Sequence, residues 1–254
     1  MSATISNCFH GCVNDAAAAQ QMGEEYMTAV SKIVASHTVN ELYGAQVFDE
    51  PAINMAPAPY EKWLTCRIAM EEYGHHVHFR RLAEALGIAE EKLDPKARHL
   101  SIFEFKMEDW PDFLAVKALA DLAEIIQMED LLECSYFPLR SLAEKLMPEE
   151  KFHAGFGRNR LEQLSATPEG KMQAQRSVHR LFAVILPFFG QSQSKNNELF
   201  RKWGVKQRSN AMMRGDFIAR VQQLCDDLGI ERPPVPESYQ ADLHEFEAAA
   251  SAAR

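Results

Sequence analysis

The stretch Glu149-Glu150-Lys151-Phe152-His153 decides how this sequence is read. From Glu150 to His153 it spells Glu-x-x-His. Residues three apart on a helix lie on one face, one above the other. A carboxylate and an imidazole placed this way can grip one metal ion. A second copy runs from Glu72 to His75 within Met70-Glu71-Glu72-Tyr73-Gly74-His75. A lone copy is weak evidence in a chain with 36 acidic residues and nine His. Two solvated polar side chains are its bland explanation, so the surroundings must decide.

Working outward, apolar spacing predicts four long helices. The first runs from about Asp15 to Asp49, with an apolar stripe through Val30, Val34, His37, Glu41, Ala45 and Phe48. Glu41 therefore points inward, where an unpaired carboxylate is costly. A pairing with His37 is its simplest structural explanation. Pro51, Pro57 and Pro59 break the chain. The second helix runs from about Tyr60 to Leu86, closed by Gly87. Leu64, Ile68, Glu72, His75, Phe79 and Leu82 form its stripe, while Glu71, His76 and His78 fall mostly beside it. The third covers about Pro111 to Cys134, with Leu114, Ala118, Asp121, Ile125 and Met128 inward and Glu124 as a rival to Asp121. The fourth spans about Pro138 to Leu164 on a stripe through Leu142, Leu146, Glu150, His153, Gly157 and Leu161. Pro148 marks either a bend or a helix restart there.

Spacing ties these helices together. Glu41 precedes Glu72 by 31 residues, with the midpoint in the Pro-rich break. Asp121 precedes Glu150 by 29, with the midpoint at Ser135 and Tyr136. In an antiparallel hairpin, residues equidistant from the turn lie at one height. Each hairpin thus levels a lone carboxylate with a Glu-x-x-His. Stacked together, the hairpins place Glu41, Glu72, His75, Asp121, Glu150 and His153 in one core layer. That is the ligand pattern of a ferritin-like di-metal bundle. The expected fold is all-α, a ferritin-like four-helix bundle with additional C-terminal helices. Residues 1–228 are assigned to it, and residues 229–254 to a partly ordered C-terminal extension.

The rest of the sequence narrows the function. The formal charge of −9 argues against a nucleic-acid binder. No apolar run reaches the about 18 residues that span a bilayer. The N-terminal Met1 to Asn7 does not have the pattern of a signal peptide. Five scattered Cys fit free thiols and a cytoplasmic setting. Residues 88–109 form a charged crossover, with a turn or helix start at Asp94-Pro95. Arg201, Lys202, Lys206, Arg208 and Arg214 form the main basic cluster, read as a solvated helix face or as a site for an anionic ligand. No Gly-x-Gly-x-x-Gly occurs, so electrons for any redox chemistry are expected from outside the chain.

At Asp121, Ser135-Tyr136-Phe137-Pro138 and Glu149-Glu150-Lys151-Phe152-His153, the sequence resembles the phenylacetic acid catabolic family. It is most similar to the metal-bearing catalytic subunits of that family's ring 1,2-epoxidases. His37 with Glu41, and Glu72-Tyr73-Gly74-His75, match two further motifs. The resemblance implies two iron ions, with manganese as the alternative, held by the six residues above. Carboxylate and imidazole donors suit such metals. It also implies O2-dependent mono-oxygenation, an epoxidation, of an aromatic acyl-CoA such as phenylacetyl-CoA. A reductase is an expected partner, as is a structural subunit or a second copy of the chain. The rival functions on the same fold are a ferroxidase, a di-manganese catalase, an N-oxygenase, and a non-catalytic structural subunit.

Overall fold

The computed structural model describes residues 8–94 and 101–252 of the 254-residue chain. Residues 1–7 and Pro95, on which two of the expectations fall, lie outside the described residues.

Helix boundaries follow local chemistry. Helix α1 (Ala16–Gln21) starts where the Asp15 side chain accepts from the Ala18 N–H. It stops before Gly23, whose φ of 93° suits glycine. Helix α2 (Glu24–Gly44) follows, then a π-helical turn (Ala45–Asp49) and α3 (Glu50–Met55). The single first helix expected from Asp15 to Asp49 is therefore divided. Pro51 lies in the first turn of α3, where its missing N–H costs nothing. Helix α4 (Pro59–Ala85) likewise starts on a proline and ends before Gly87, φ 68°.

Helix α5 (Trp110–Leu131) is capped by Asp109, which accepts from Asp112 N–H. Helix α6 (Phe137–Leu164) runs unbroken through Pro148, so the proline is no restart. The lost hydrogen bond is one among many in a long, well-packed helix. Beyond it lie α7 (Pro168–Ile185), a 3₁₀ turn (Leu186–Phe189), α8 (Lys195–Lys202), α9 (Asn210–Leu228) and α10 (Glu237–Ala252). The fold is all-α, consistent with a ferritin-like bundle; no strand occurs among the described residues.

Helix α2 packs on α4 and α5 on α6, and α4 joins the two pairs by meeting α6. Gly157 lets α6 come close to α5: a Cβ there would lie 2.4 Å from Ala118 N and 2.7 Å from Leu114 O. The apolar core has two parts. One contains Val30, Val34, Phe79, Met128, Leu139 and Leu146. The other contains Phe48, Leu64, Ile68, Leu114, Ala118 and Phe156. Along α4 and α6, and from α2 into the π-helical turn, the chain passes from one part to the other, and Glu41, Glu72 with His75, and Glu150 with His153 stand at the crossing. The bundle core is thus cut by one polar layer.

The C-terminal helices absorb the basic cluster. Arg214 is fully buried, donates to Leu186 O at 2.9 Å, and pairs with Asp242 of α10. Arg208 reaches Asp130 at 3.3 Å and Asp216 at 3.0 Å. Lys202 pairs with Glu25, and buried Lys206 donates to Gln127. Lys206, Arg208 and Arg214 clamp helices to one another, which corrects the expectation of a solvated face for these three, while the Lys202 side chain stays 47% exposed. Among the described residues, no helix is long and apolar enough to cross a membrane. No disulfide joins the described cysteines.

Candidate metal centre

The polar layer brings together the six residues singled out by spacing. Glu41, Glu72, His75 and Glu150 form one group of converging donors, and Glu72, Asp121, Glu150 and His153 form another. Within each group, one donor atom per residue lies within 4.8 Å of all the others, and all six residues are buried. Glu72 and Glu150 belong to both groups, so each could serve either of two cations held there. Glu124 instead converges with His37 and Glu41. His37 Nδ1 is 2.8 Å from Glu124 and 3.9 Å from Glu41.

Each histidine is held from behind. His75 Nε2 lies 2.8 Å from Glu149, and His153 Nε2 lies 2.8 Å from Glu71. A carboxylate there accepts the Nε2 proton and turns Nδ1 inward, the arrangement common around histidine metal ligands. His75 Nδ1 then faces Glu150 at 2.9 Å, Glu72 at 3.6 Å and Glu41 at 3.7 Å. His153 Nδ1 faces Glu72 at 3.1 Å. The pairing is crossed: the first Glu of each Glu-Glu-x-x-His holds the His of the other. Arg67 in turn holds Glu71 at 2.8 Å.

Two further buried charges stand beside the layer. Lys117 Nζ lies 2.9 Å from Asp49, 2.9 Å from Glu72 and 3.1 Å from Asp121. Asp49 reaches it through the π-helical turn. The turn adds a residue to the helix, so Asp49 falls in angle where an i+7 residue would, over Glu41. Neither Lys117 nor Asp49 was among the candidate ligands read from sequence. Lys117 sits one turn before Asp121 on the inward stripe of α5, so a lysine in an apolar row was the available signal. Asp49 had no comparable signal, because its orientation depends on the π turn. Glu149 was also missed, since it lies off the helix face that carries Glu150.

Burial and neighbours set the protonation of these groups. Burial pushes Glu41 well above the usual carboxylate range, although His75 pulls the other way. Burial also raises Asp121 and Glu150, and it lifts Asp49 to about 6. Glu72 is buried too, but Lys117 and the two histidines outweigh that and hold it well below the usual range. Burial would lower His75, yet Glu150, Glu41 and Glu72 raise it. His153 is raised to about 10, with Glu71 and Glu72 overcoming burial. The carboxylates thus favour the charged form of both histidines, while burial leaves Glu41, Asp121 and Glu150 costly to ionise without a further cation beside them.

The donors fit a metal pair on a further count. Glu41 Oε1, His75 Nδ1, Asp121 Oδ2, Glu150 Oε1 and His153 Nδ1 are buried without a hydrogen-bond partner among the described residues. Of these, His75 Nδ1 and Glu150 Oε1 stand 2.9 Å apart without directed hydrogen-bond geometry. Buried polar atoms are seldom left that way. The four carboxylates of the two groups match the charge of two dications, and Lys117 offsets Asp49. A cavity of about 70 Å³ touches Glu41, Glu72, Asp121 and Glu150. A larger cleft of about 770 Å³ shares Asn40 and Phe188 with its walls and also touches His37.

The sequence profile of the family described as phenylacetic acid catabolic protein matches residues 2–249. Among curated proteins, none matches the chain significantly.

Proposed function

Because the chain belongs to the phenylacetic acid catabolic protein family, we propose that it is the di-iron mono-oxygenase component of a multicomponent phenylacetate-degrading system. The observation that carries this reading is the pair of interlocked donor groups sharing Glu72 and Glu150 in a dry core. Glu41 and His75 complete one position, and Asp121 and His153 the other. When bound, an iron pair supplies O2 activation, with electrons delivered by a separate reductase. Manganese is the alternative occupant. Glu149 and Glu71 keep the two imidazoles oriented, and Lys117 keeps Glu72 ionised and ready to ligate. Phe48, Phe103 and Ile185, in the wall of the small cavity, limit water at the ligands.

The larger cleft is of ordinary ligand-site size, and we place an aromatic acyl-CoA there, its acyl end toward Asn40 and Phe188. The intended reaction is epoxidation of the ring, as for phenylacetyl-CoA. Tyr60, Trp63, Met70 and Val77 leave an exposed apolar row on α4, where we place a partner subunit or second copy. We assign the protein to the cytoplasm on the basis of its catabolic role.

A second reading, a metal-free structural subunit, is favoured by one observation. Lys117 already supplies a cation to Glu72 and Asp121. Metal analysis separates the two. After expression with iron, two ions per chain are expected; Glu150→Ala should lose both and His153→Ala one. Full occupancy in both variants would sink the ligand assignment. An empty wild-type protein that resists loading would favour the structural subunit. With iron bound, oxygen-dependent turnover of phenylacetyl-CoA is expected only when a reductase is added.

A further inference from the structure

We propose that His37, Glu124 and Glu41 form a third divalent-cation site, which receives cations from the large cleft on their way to the pair. His37 is 5% exposed, and its ring stacks on Phe79 at 4.8 Å between centroids, so its orientation is fixed. Its Nδ1 stands 2.8 Å from Glu124 Oε1 and 3.9 Å from Glu41 Oε1. All three atoms are buried, and none has a hydrogen-bond partner among the described residues. A simple imidazole–carboxylate bond would direct a proton along the 2.8 Å contact. Here that directed geometry is missing, and a second carboxylate oxygen turns toward the same point. Three bare donors facing one space are what a cation requires, and one imidazole with two carboxylates suits a first-row transition metal.

Glu41 links this site to the pair. Its Oε1 faces His37, while its Oε2 lies 3.7 Å from His75 Nδ1. The inference rests on the di-metal reading through this one residue. Position gives the site its role: His37 lines the large cleft, and Glu41 and Glu124 line the small cavity beside the ligands. A cation entering from the cleft therefore meets His37 before it meets Glu72 or Glu150. With three protein donors, one of them shared, and repulsion from the filled pair, this site binds more weakly than its neighbours. Weak binding is what a transfer position needs.

The test uses the full chain stripped of metal and titrated with Mn2+. Bound ions are counted after equilibrium dialysis and located by anomalous diffraction at the manganese edge. Wild type is expected to take a third, weaker ion between His37 and Glu124. His37→Ala and Glu124→Gln should each lose that ion alone, and both should fill the pair more slowly. Glu124→Gln nearly preserves shape, so it serves even if His37→Ala folds poorly. Saturation of wild type without a third peak, or a third peak kept in both variants, would overturn the site. Loading of the pair at the wild-type rate in both variants would overturn its entry role. Absence of ions at Glu72 and Glu150, with the His37 peak present, would instead defeat the di-metal reading.

Discussion

The two Glu-Glu-x-x-His segments share a sequence pattern but lie in different surroundings. In α4, Glu71 reaches across to His153; its side chain is 11% exposed and Arg67 holds it. In α6, Glu149 reaches across to His75 over the same 2.8 Å, but its side chain is 41% exposed. A hydrogen bond in a low-dielectric interior is stronger than its copy at the surface, and leaving it unmade costs more. The inner carboxylates differ as well. Glu72 is kept ionised by Lys117, whereas burial raises Glu150. Motif identity therefore sets which atoms meet, and burial sets how much each meeting is worth.

The largest effect is expected where the two groups overlap. Glu150→Ala removes a donor from both positions, so both ions should be lost, whereas Asp121→Asn should release only one. Iron counted per purified chain checks this, and equal loss in the two variants would contradict the bridging role of Glu150. Next comes Lys117→Met. Removing one partner from a buried ionic network costs about 3–5 kcal/mol, so the metal-free protein should unfold at markedly lower denaturant. Added metal should recover most of that loss, because cations then neutralise Glu72 and Asp121. Denaturant curves with and without Mn2+ would show it.

A smaller effect sharpens the comparison directly. Glu71→Gln should weaken metal binding by about 10–100-fold, the usual range for a group that orients a ligand histidine. Glu149→Gln should cost less, about threefold or under, since water can replace an exposed acceptor. Competition titrations against a chelator measure both. Equal losses would mean that exposure does not set the strength of these bonds. The smallest effect is expected from Arg232→Gln, which removes an exposed pair with Asp226 far along the chain from the layer. Metal affinity should stay unchanged, and the denaturant midpoint should hardly move, since an exposed ion pair is screened by solvent.

Much of the architecture is legible in the sequence. The boundaries of α4, α5 and α6 follow proline starts and a glycine stop, which act locally. The polar layer was legible because hairpin geometry converts residue spacing into height. Asp121 and Glu124 differ by less than one turn, and inward direction separated them: Asp121 converges with Glu72, Glu150 and His153, and Glu124 with His37. The division of the first helix was less legible. Gly23 is a plain signal in hindsight, but a π-helical turn has no simple sequence mark.

Local rules acting through periodicity determined the helices, the inward face of each, and the level at which polar residues interrupt the stripes. These depend on backbone geometry, which every residue carries. Tertiary structure alone decided the crossed Glu71–His153 and Glu149–His75 pairings, the placing of Lys117 against Asp49, and the burial of Arg214 on Asp242. Each joins side chains far apart in the chain, and each is favourable only because neighbouring helices exclude water around it. The energy of a buried charge depends on everything within a few ångströms, and only the assembled bundle specifies that neighbourhood.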